Sequence, residues 1–241
     1  MPKPTLHTCL SPSLLNVYDV SNSVVVIIDV LRATSTIAAA LYNGAKAVVP
    51  VDSVQQCIQI GQQLNAITAG ERDGKIVEGL QYGNSPLEYP RAFIEGKTLV
   101  LTTTNGTRLL HMASEKGAQQ IITGSFPNIS AVCNHLIACQ QPVILGCAAW
   151  KERINIEDTL FAGAVIQRIE SHFTIHCDAS ITAKNLYQQA STDCYAFMQQ
   201  QGATHYHRLS NYGLENDIRY CLTADIANVL PIYQDGKLSV M

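Results

Sequence analysis

The feature that most constrains this chain is a repeated pattern, in which a short apolar strand runs into a polar loop and then into a helix. The pattern begins at residues 24–28, at 98–101 and at 143–147. Strands that alternate with helices predict an α/β fold, and near-continuous apolar strands predict a sheet covered by helices on both faces. We therefore predict a three-layer α/β/α architecture with a mixed, mainly parallel sheet.

The first two of these units resemble each other. When they are aligned without gaps so that Asp29 falls on Thr102, the glycines that end the two helices, Gly44 and Gly117, also coincide. The pattern is common in α/β proteins, so the match reflects either chance or an ancient internal duplication. We predict a single domain over residues 1–241. If a duplication occurred, this domain would have two lobes.

The composition limits the range of partners. The chain has 241 residues, 47% of them hydrophobic, which is enough for a buried core, and its formal net charge is −3. Nucleic acids and anionic membranes attract clustered Lys and Arg, so we expect neither as a partner. The N-terminus lacks the apolar run of a signal peptide, and no apolar stretch approaches the roughly 20 residues that span a bilayer. We predict a cytoplasmic protein in which local groups bind a small anion.

The eight cysteines do not form a recognisable metal or redox motif. No Cys-x-x-Cys pair occurs, and several cysteines lie within apolar patterns, so we interpret most of them as reduced core residues. His205 and His207 are the nearest approach to a metal-ligand cluster. Because they lack Cys or acidic neighbours, we expect this segment to be a surface strand or loop rather than a zinc site.

Polar loops that follow buried strands and open helices attract anions, because helix N-termini carry free N–H groups. A phosphate ester also requires cations and a group that attacks phosphorus, often with a divalent metal. The loop after the first strand offers Asp29 as metal ligand or nucleophile, and Arg32, Thr34 and Ser35 as anion-binding groups. The alternative is a helix cap with a surface arginine.

A second segment places two carboxylates and a guanidinium between glycines. Glu71, Arg72 and Asp73 lie between Gly70 and Gly74, and the polar pair Asn84-Ser85 follows a few residues later. These residues are candidates for holding a metal and a phosphate. A solvated turn is the alternative interpretation of Glu-Arg-Asp-Gly.

A third segment, residues 102–108, concentrates hydroxyl and amide donors directly after a buried strand, which a simple turn would not need. Its candidate binding residues are Thr103, Thr104, Asn105, Gly106 and Thr107. In a fourth segment, Glu157 and Asp158 begin a helix, where acidic side chains either stabilise the helix dipole or bind Mg²⁺.

One segment has the Cys-x₅-Arg spacing of cysteine phosphatases, from Cys147 to Arg153. A phosphate cradle needs small residues and free backbone N–H groups, whereas Trp150 is bulky and Glu152 would repel an anion. A Cys147 thiolate nucleophile therefore remains the less favoured alternative.

Together the motifs resemble those of the 2-phosphosulfolactate phosphatase family, in the same order and over nearly the whole chain. They are residues 29–36 (Asp-Val-Leu-Arg-Ala-Thr-Ser-Thr), 70–72 (Gly-Glu-Arg), 83–86 (Gly-Asn-Ser-Pro), 103–107 (Thr-Thr-Asn-Gly-Thr) and 157–158 (Glu-Asp) followed by 162–163 (Ala-Gly), with Asp217-Ile218 similar to a later motif. The chain departs from the family pattern at Ala149-Trp150, where the family tends to have glycine, and at Leu80, where it has Phe. These departures alter the expected pocket wall and remove no charged group.

The resemblance implies the family's α/β fold, a requirement for Mg²⁺, and hydrolysis of 2-phospho-3-sulfolactate to 3-sulfolactate and phosphate. In our hypothesis, Asp29 holds the metal with help from Glu71, Asp73 or Asp158. Arg32, Arg72 and the threonine-rich loop then bind the remaining phosphoryl oxygens. Either Asp29 or a water activated by the metal attacks phosphorus. There are two alternatives: another small phosphorylated acid as the substrate, or a non-catalytic anion-binding protein. A homodimer is compatible with the sequence.

Overall fold

A computed structural model describes residues 2–72, 75–103, 105–190 and 192–240, so the predicted site residues Asp73 and Thr104 lie outside the described residues. The strands are β1 (Leu6–Cys9), β2 (Val24–Ile28), β3 (Ala47–Val51), β4 (Ile67–Arg72), β5 (Lys75–Ile76), β6 (Thr98–Thr102), β7 (Gln120–Gly124), β8 (Val143–Cys147), β9 (Ile232–Gln234) and β10 (Lys237–Ser239). The helices are α1 (Ala33–Tyr42), α2 (Val54–Leu64), α3 (Arg91–Ile94), α4 (Gly106–Glu115), α5 (Ile129–Cys139), α6 (Ile156–Ile169), α7 (Asp178–Ala190), α8 (Cys194–Gln200), α9 (Thr204–Ser210) and α10 (Glu215–Leu222), and short 3₁₀ turns occur at Pro12–Val17, Pro86–Glu88, Phe126–Asn128 and Glu170–His172.

The described strands form one mixed sheet in the order β1-β8-β2-β7-β9-β10-β3-β6-β4-β5. Strands β1, β8, β2 and β7 are mutually parallel, and so are β3, β6 and β4. The antiparallel hairpin β9–β10 lies between the two groups and pairs antiparallel with β7 on one side and with β3 on the other. The two parallel groups therefore run in opposite directions. Helices cover both faces, which confirms the predicted three-layer α/β/α fold.

Strand β2 shows why the sheet is covered on both sides. All five of its residues are buried. Val24, Val26 and Ile28 face a core that contains residues of α5, α6 and α7, whereas Val25 and Ile27 face a core that contains residues of α1 and α4. Successive side chains of a strand point to opposite faces, so an uninterrupted apolar run is stable only between two helical layers.

Helix α1 is buried from Ala33 to Leu41, which explains its composition. A helix that is covered all round needs small or apolar side chains on every face, and Ala38, Ala39 and Ala40 are fully buried. The polar loop that precedes α1 is thereby placed within the fold instead of on its surface.

The two similar units are interleaved in the sheet. The first strand of each unit pairs in parallel with the second strand of the other, because β2 lies beside β7 and β3 lies beside β6. This arrangement is one that a duplication would produce, and the duplication itself stays a prediction.

Two further expectations concern cysteines and membranes. All eight cysteines are free thiols, and Cys9, Cys57, Cys133, Cys147 and Cys221 are buried, in agreement with the prediction of reduced core residues. Among the described residues, we find no helix with the length and apolar character needed to cross a bilayer.

Candidate active site

A cavity of about 290 Å³ lies where the loops after β2, β5, β6 and β8 meet the end of β4 and residues of α9. Its size is near the lower end of small-molecule sites. It is lined by Asp29, Leu31, Arg32, Glu71, Arg72, Asn84, Thr102, Thr103, Asn105, Trp150, Lys151, His205 and Arg208. The structure thus brings the candidate residues from the first three sequence segments to one place.

Asp29 lies at the end of β2 and is half-buried. Its Oδ2 accepts a hydrogen bond from the backbone N of Gly106, at 3.0 Å. Burial raises its pKa to about 6; the negative charge of Glu157 adds to this effect, and His205 and the Gly106 N–H oppose it. A Cβ at position 106 would lie 2.8 Å from Asp29 Oδ2, so only glycine allows this close approach.

The guanidinium of Arg32 is buried between two carboxylates. It donates hydrogen bonds to Asp217 and to Glu71, the latter at 3.0 Å, and the two carboxylates raise its pKa although burial opposes them. Asp217 also accepts a hydrogen bond from Ser85 Oγ at 2.9 Å. Arg32 is therefore a compensated cation at the cavity wall, and its predicted alternative as a surface arginine is wrong.

The predicted binding pair Asn84-Ser85 divides into two roles. Ser85 faces Asp217, whereas Asn84 lines the cavity and its backbone O accepts a hydrogen bond from Thr36 Oγ1 at 3.0 Å. Among the residues that the structure describes, the buried side-chain oxygen of Asn84 has no hydrogen-bond partner, and neither has Oγ1 of Thr102. Because buried polar atoms are normally paired, these two oxygens are open to a ligand.

Several predicted binding residues support the loops and do not line the cavity. Thr34 accepts a hydrogen bond from the backbone N of Asp29 at 3.2 Å, and Ser35 donates one to Val30 O at 2.8 Å. Thr107 Oγ1 lies 2.9 Å from Thr103 Oγ1. Hydroxyls at helix starts commonly satisfy backbone groups in this way, so the polar loops hold their shape through the same residues that predicted an anion site.

Asp158 occupies a different position from the one that we predicted. It is almost fully buried, and its two oxygens accept hydrogen bonds from the backbone N atoms of Val30, at 2.9 Å, and Ala149, at 3.3 Å. Burial and the neighbouring charges of Glu157 and Asp29 raise its pKa well above the usual range. Asp158 joins the loops after β2 and β8 behind the cavity, so the structure does not support a direct metal ligand here.

His205 was expected on a surface strand or loop, and this expectation is wrong because it lies in helix α9 and lines the cavity. Its Nδ1 is 2.5 Å from Oε1 of the buried Glu157, and its Nε2 is 2.7 Å from Nη2 of Arg208. A guanidinium only donates, so Nε2 accepts and Nδ1 carries the proton shared with Glu157. Glu157 thereby orients a histidine toward the cavity.

The loop after β8 forms another wall. Trp150 and Lys151 line the cavity, and the cations of Lys151 and Arg208 each lie 4.6 Å from the centre of a Trp150 ring. Cys147 is fully buried at the end of β8, and burial raises the pKa of its thiol well above the usual range. A buried thiol that stays protonated is a poor nucleophile, which weighs against the Cys-x₅-Arg alternative.

The cavity oxygens suit a hard cation such as Mg²⁺. Asp29 offers a carboxylate, and Asn84 and Thr102 offer the unpaired oxygens. Glu71 also lines the cavity, although Arg32 engages its Oε2. The described residues contain no group of three or more His, Cys, Asp or Glu side chains placed to hold a metal. This donor set fits an ion that keeps water ligands and takes others from a phosphate, as Mg²⁺ commonly does.

The sequence reasoning missed part of the site. Asp217 was noted only within a motif, Trp150 only as a bulky residue and His205 only in a rejected zinc site. Lys151 and Arg208 were not candidates. His205 and Arg208 are three residues apart, so a helical interpretation would have placed them on one face. This spacing could be recognised in the sequence. The approach of α9 and α10 to the β2 loop could not be predicted from it.

Comparisons with known proteins identify the family of the chain. The model of the 2-phosphosulpholactate phosphatase family matches residues 9–236. A probable 2-phosphosulfolactate phosphatase of Caldanaerobacter subterraneus subsp. tengcongensis is 35% identical over 235 residues, 96% of each chain. Proteins of the same name are 36% identical over 211 residues in Thermotoga maritima, with 88% of this chain and 89% of the relative covered, and 35% identical over 233 residues in Clostridium novyi, with 95% and 97% covered. The chain therefore belongs to the 2-phosphosulpholactate phosphatase family.

Proposed function

We propose that this protein is a Mg²⁺-dependent phosphatase that hydrolyses 2-phospho-3-sulfolactate to 3-sulfolactate and phosphate. The observation that carries the proposal is the meeting of Asp29 with two arginines, Arg32 and Arg72, in one cavity. The names of the relatives supply the substrate, and the cavity supplies groups of the kinds that phosphoryl transfer needs.

The cavity residues have different proposed roles, which follow from their charge. Arg72 is a half-buried cation whose Nη1 donates to its neighbour's backbone O, at 2.6 Å, and it has no carboxylate partner among the described residues. It is free to bind a phosphoryl oxygen. Thr103 and Asn105, from the loop after β6, add hydroxyl and amide donors on the other side of Asp29.

Asp29, with Asn84 and Thr102, would hold the metal ion. Bound there, Mg²⁺ would neutralise charge on the phosphoryl group and so make attack on phosphorus easier. Asp29 has the further role of presenting a carboxylate whose position is fixed by the Gly106 N–H. Arg32 offsets one of the two charges of Asp217 and Glu71 and so reduces the repulsion between this wall and the substrate.

The test is phosphate release from 2-phospho-3-sulfolactate by the purified protein, with Mg²⁺, with a chelator, and with Mg²⁺ restored. We expect release that the chelator abolishes and Mg²⁺ restores. Release that is indifferent to the chelator would contradict the metal requirement. Faster release from another phosphorylated acid, such as 2-phosphoglycolate, would keep the reaction and replace the substrate.

The compartment is also a proposal. Eight free thiols in one chain are typical of a reducing environment, and we propose the cytoplasm as the location. Fractionation of the native host, followed by immunodetection, tests this, and recovery in a secreted fraction would contradict it.

A further inference from the structure

The proposed reaction leaves one wall of the cavity without a role. This wall consists of Trp150, Lys151 and Arg208, which come from the loop after β8 and from helix α9. Among residues 2–72, 75–103, 105–190 and 192–240, neither Lys151 nor Arg208 has a carboxylate within ion-pair distance. Arg32 in the same cavity has two. Of the cavity's arginine and lysine side chains, Arg32 is thus compensated and Arg72 is assigned to the phosphoryl group, whereas the two on the Trp150 side are neither.

The position of Arg208 is set from behind. Its Nη2 lies 2.7 Å from His205 Nε2, and the other ring nitrogen of His205 is 2.5 Å from the buried Glu157. The guanidinium also stacks on Trp150, with its carbon 4.6 Å from a ring centre. Stacking occupies a face of the guanidinium and leaves its N–H edge available, which is the geometry that recognises an oxyanion.

The loop that carries Trp150 and Lys151 is also fixed. Trp150 and Arg153 exchange two backbone hydrogen bonds at 2.9 Å, and the backbone N of Ala149 donates to Asp158. The Glu152 carboxylate turns away from the cavity and accepts hydrogen bonds from Ser11, from the backbone of Ser13 and from Arg108. A wall that is organised before the ligand arrives loses less entropy on binding.

We propose that Lys151 and Arg208, supported by the ring of Trp150, form a second anion subsite that binds an acid group of the substrate while the phosphoryl group lies near Asp29 and Arg32. The ligand chemistry is a carboxylate or a sulfonate. The subsite rests on the proposed function in one respect, because it assigns the enzyme to phosphate esters that carry a second acid group.

This division follows from where the charges lie. The carboxylates of Glu71 and Asp217 pair with Arg32, and Asp29 also lines the cavity. A second anion, one that binds no metal ion, is therefore favoured on the Trp150 side of the cavity. An ester without a second acid group would leave two cations without a partner. Discrimination between the two kinds of ester would then come from Lys151 and Arg208, not from the groups at phosphorus.

The experiment combines binding and kinetics on the full chain. Binding of 3-sulfolactate is measured by calorimetry for Lys151→Gln and Arg208→Gln, with the exposed Lys46→Gln and Arg91→Gln, which lie outside the cavity, as matched controls. We expect each cavity variant to weaken binding about tenfold, the loss typical of one charge-assisted hydrogen bond, and the controls to leave it unchanged. For 2-phospho-3-sulfolactate, which carries both acid groups, the cavity variants should raise KM by a similar factor, with little change for isopropyl phosphate, which carries neither.

The outcomes separate the subsite from the reaction. Unchanged 3-sulfolactate binding in both cavity variants overturns the subsite, even if the wild-type enzyme hydrolyses its ester. Equal losses for 2-phospho-3-sulfolactate and isopropyl phosphate also overturn it, because the residues would then act at the phosphoryl group. Weakened binding without turnover of any ester by the wild type supports the subsite and contradicts the phosphatase.

Two simpler ligands identify the acid group. Lactate carries only the carboxylate, and 2-hydroxypropanesulfonate carries only the sulfonate. The ligand whose binding falls in Lys151→Gln and Arg208→Gln is the one that the subsite reads. If neither ligand responds while 3-sulfolactate does, the two acid groups are read together.

Discussion

The two similar strand-loop-helix units have the same local architecture and opposite chemical characters. In the first, β2 ends at Asp29 and α1 begins after Arg32; in the second, β6 and α4 place Thr102 and Asn105 at the corresponding positions. The first loop is charged and tied by buried ion pairs, whereas the second is neutral and held by hydroxyl contacts. The same scaffold therefore supplies charge from one unit and neutral donors from the other.

The helices differ in the same sense. Helix α1 is buried from Ala33 to Leu41, whereas α4 exposes residues such as Arg108 and Glu115 to solvent. The two loops meet where the Gly106 N–H reaches the Asp29 carboxylate. The charged unit is therefore held deep within the fold, and the neutral unit completes the site from the side.

The largest effect is expected from removing the charge that distinguishes the two loops. Asp29→Asn should lower kcat on the order of 10⁴-fold, the size seen when a charged member of a catalytic constellation is lost. Phosphate release with Mg²⁺ measures this, and the exposed Asp19→Asn serves as the matched control. Turnover close to wild type in Asp29→Asn would remove the functional difference between the units.

The second effect concerns the ion pairs of the charged loop. Asp217→Asn leaves the buried Arg32 with only the partly exposed Glu71, and we expect the free energy of unfolding to fall by about 3 kcal/mol. Asn105→Ala, at the position equivalent to Arg32, should change it by less than about 0.5 kcal/mol. Denaturant unfolding of both variants tests the contrast, and equal losses would contradict it.

The third effect concerns the contact between the loops. Gly106→Ala places a Cβ 2.8 Å from Asp29 Oδ2, and the residue equivalent to Gly106 in the first unit is Ala33. We expect a loss of about 1 to 3 kcal/mol in stability from overpacking, together with reduced kcat. The reciprocal Ala33→Gly should cost about 1 kcal/mol through helix propensity alone. If Gly106→Ala is neutral in both measurements, the close approach is not required.

The smallest effect is a pH dependence of stability. We expect it from Asp29 in the first unit and not from Thr102, the equivalent residue of the second unit. Since burial raises the pKa of Asp29 from 3.8 to about 6, the folded protein binds this proton more tightly than the unfolded chain. The contribution of Asp29 to the free energy of unfolding is therefore greatest below pH 3.8 and falls by about 1 kcal/mol as the pH rises to about 6, once solvent in the cavity is allowed for.

Denaturant unfolding at a series of pH values, with a chelator present, measures this slope. Asp29→Asn should flatten it in part, because burial also raises the pKa of Asp158, and should be more stable than the wild type at neutral pH. Thr102→Val should leave the slope unchanged. An identical slope in Asp29→Asn and the wild type would show that another group titrates.

The sequence predicted the strands well because their apolar runs are uninterrupted. The predicted runs at residues 24–28 and 143–147 coincide with β2 and β8, and the run at 98–101 lies within β6. Strands and helices show different spacings of apolar residues along the chain. These spacings are local, so they can be recognised in the sequence without knowledge of tertiary contacts. The segments that line the cavity were identified for the same reason, since polar residues directly after buried strands stand out.

Individual side-chain roles were less predictable. Ser35, Thr34 and Asp158 belong to the right segments, yet they bind backbone groups and do not line the cavity. A hydroxyl or carboxylate at a helix start can either cap the helix or bind a ligand. Only the direction of the side chain distinguishes these two roles.

By itself the sequence determined the fold class, the order of the polar loops and the membership of the family. The tertiary structure decided that the hairpin β9–β10 sets the two parallel groups in opposite directions and that α9 and α10 bring His205, Arg208 and Asp217 to the β2 loop. The reason is physical: strand and helix patterns follow from burial along the chain, whereas Arg32 meets Asp217 only because packing brings residues distant in sequence together.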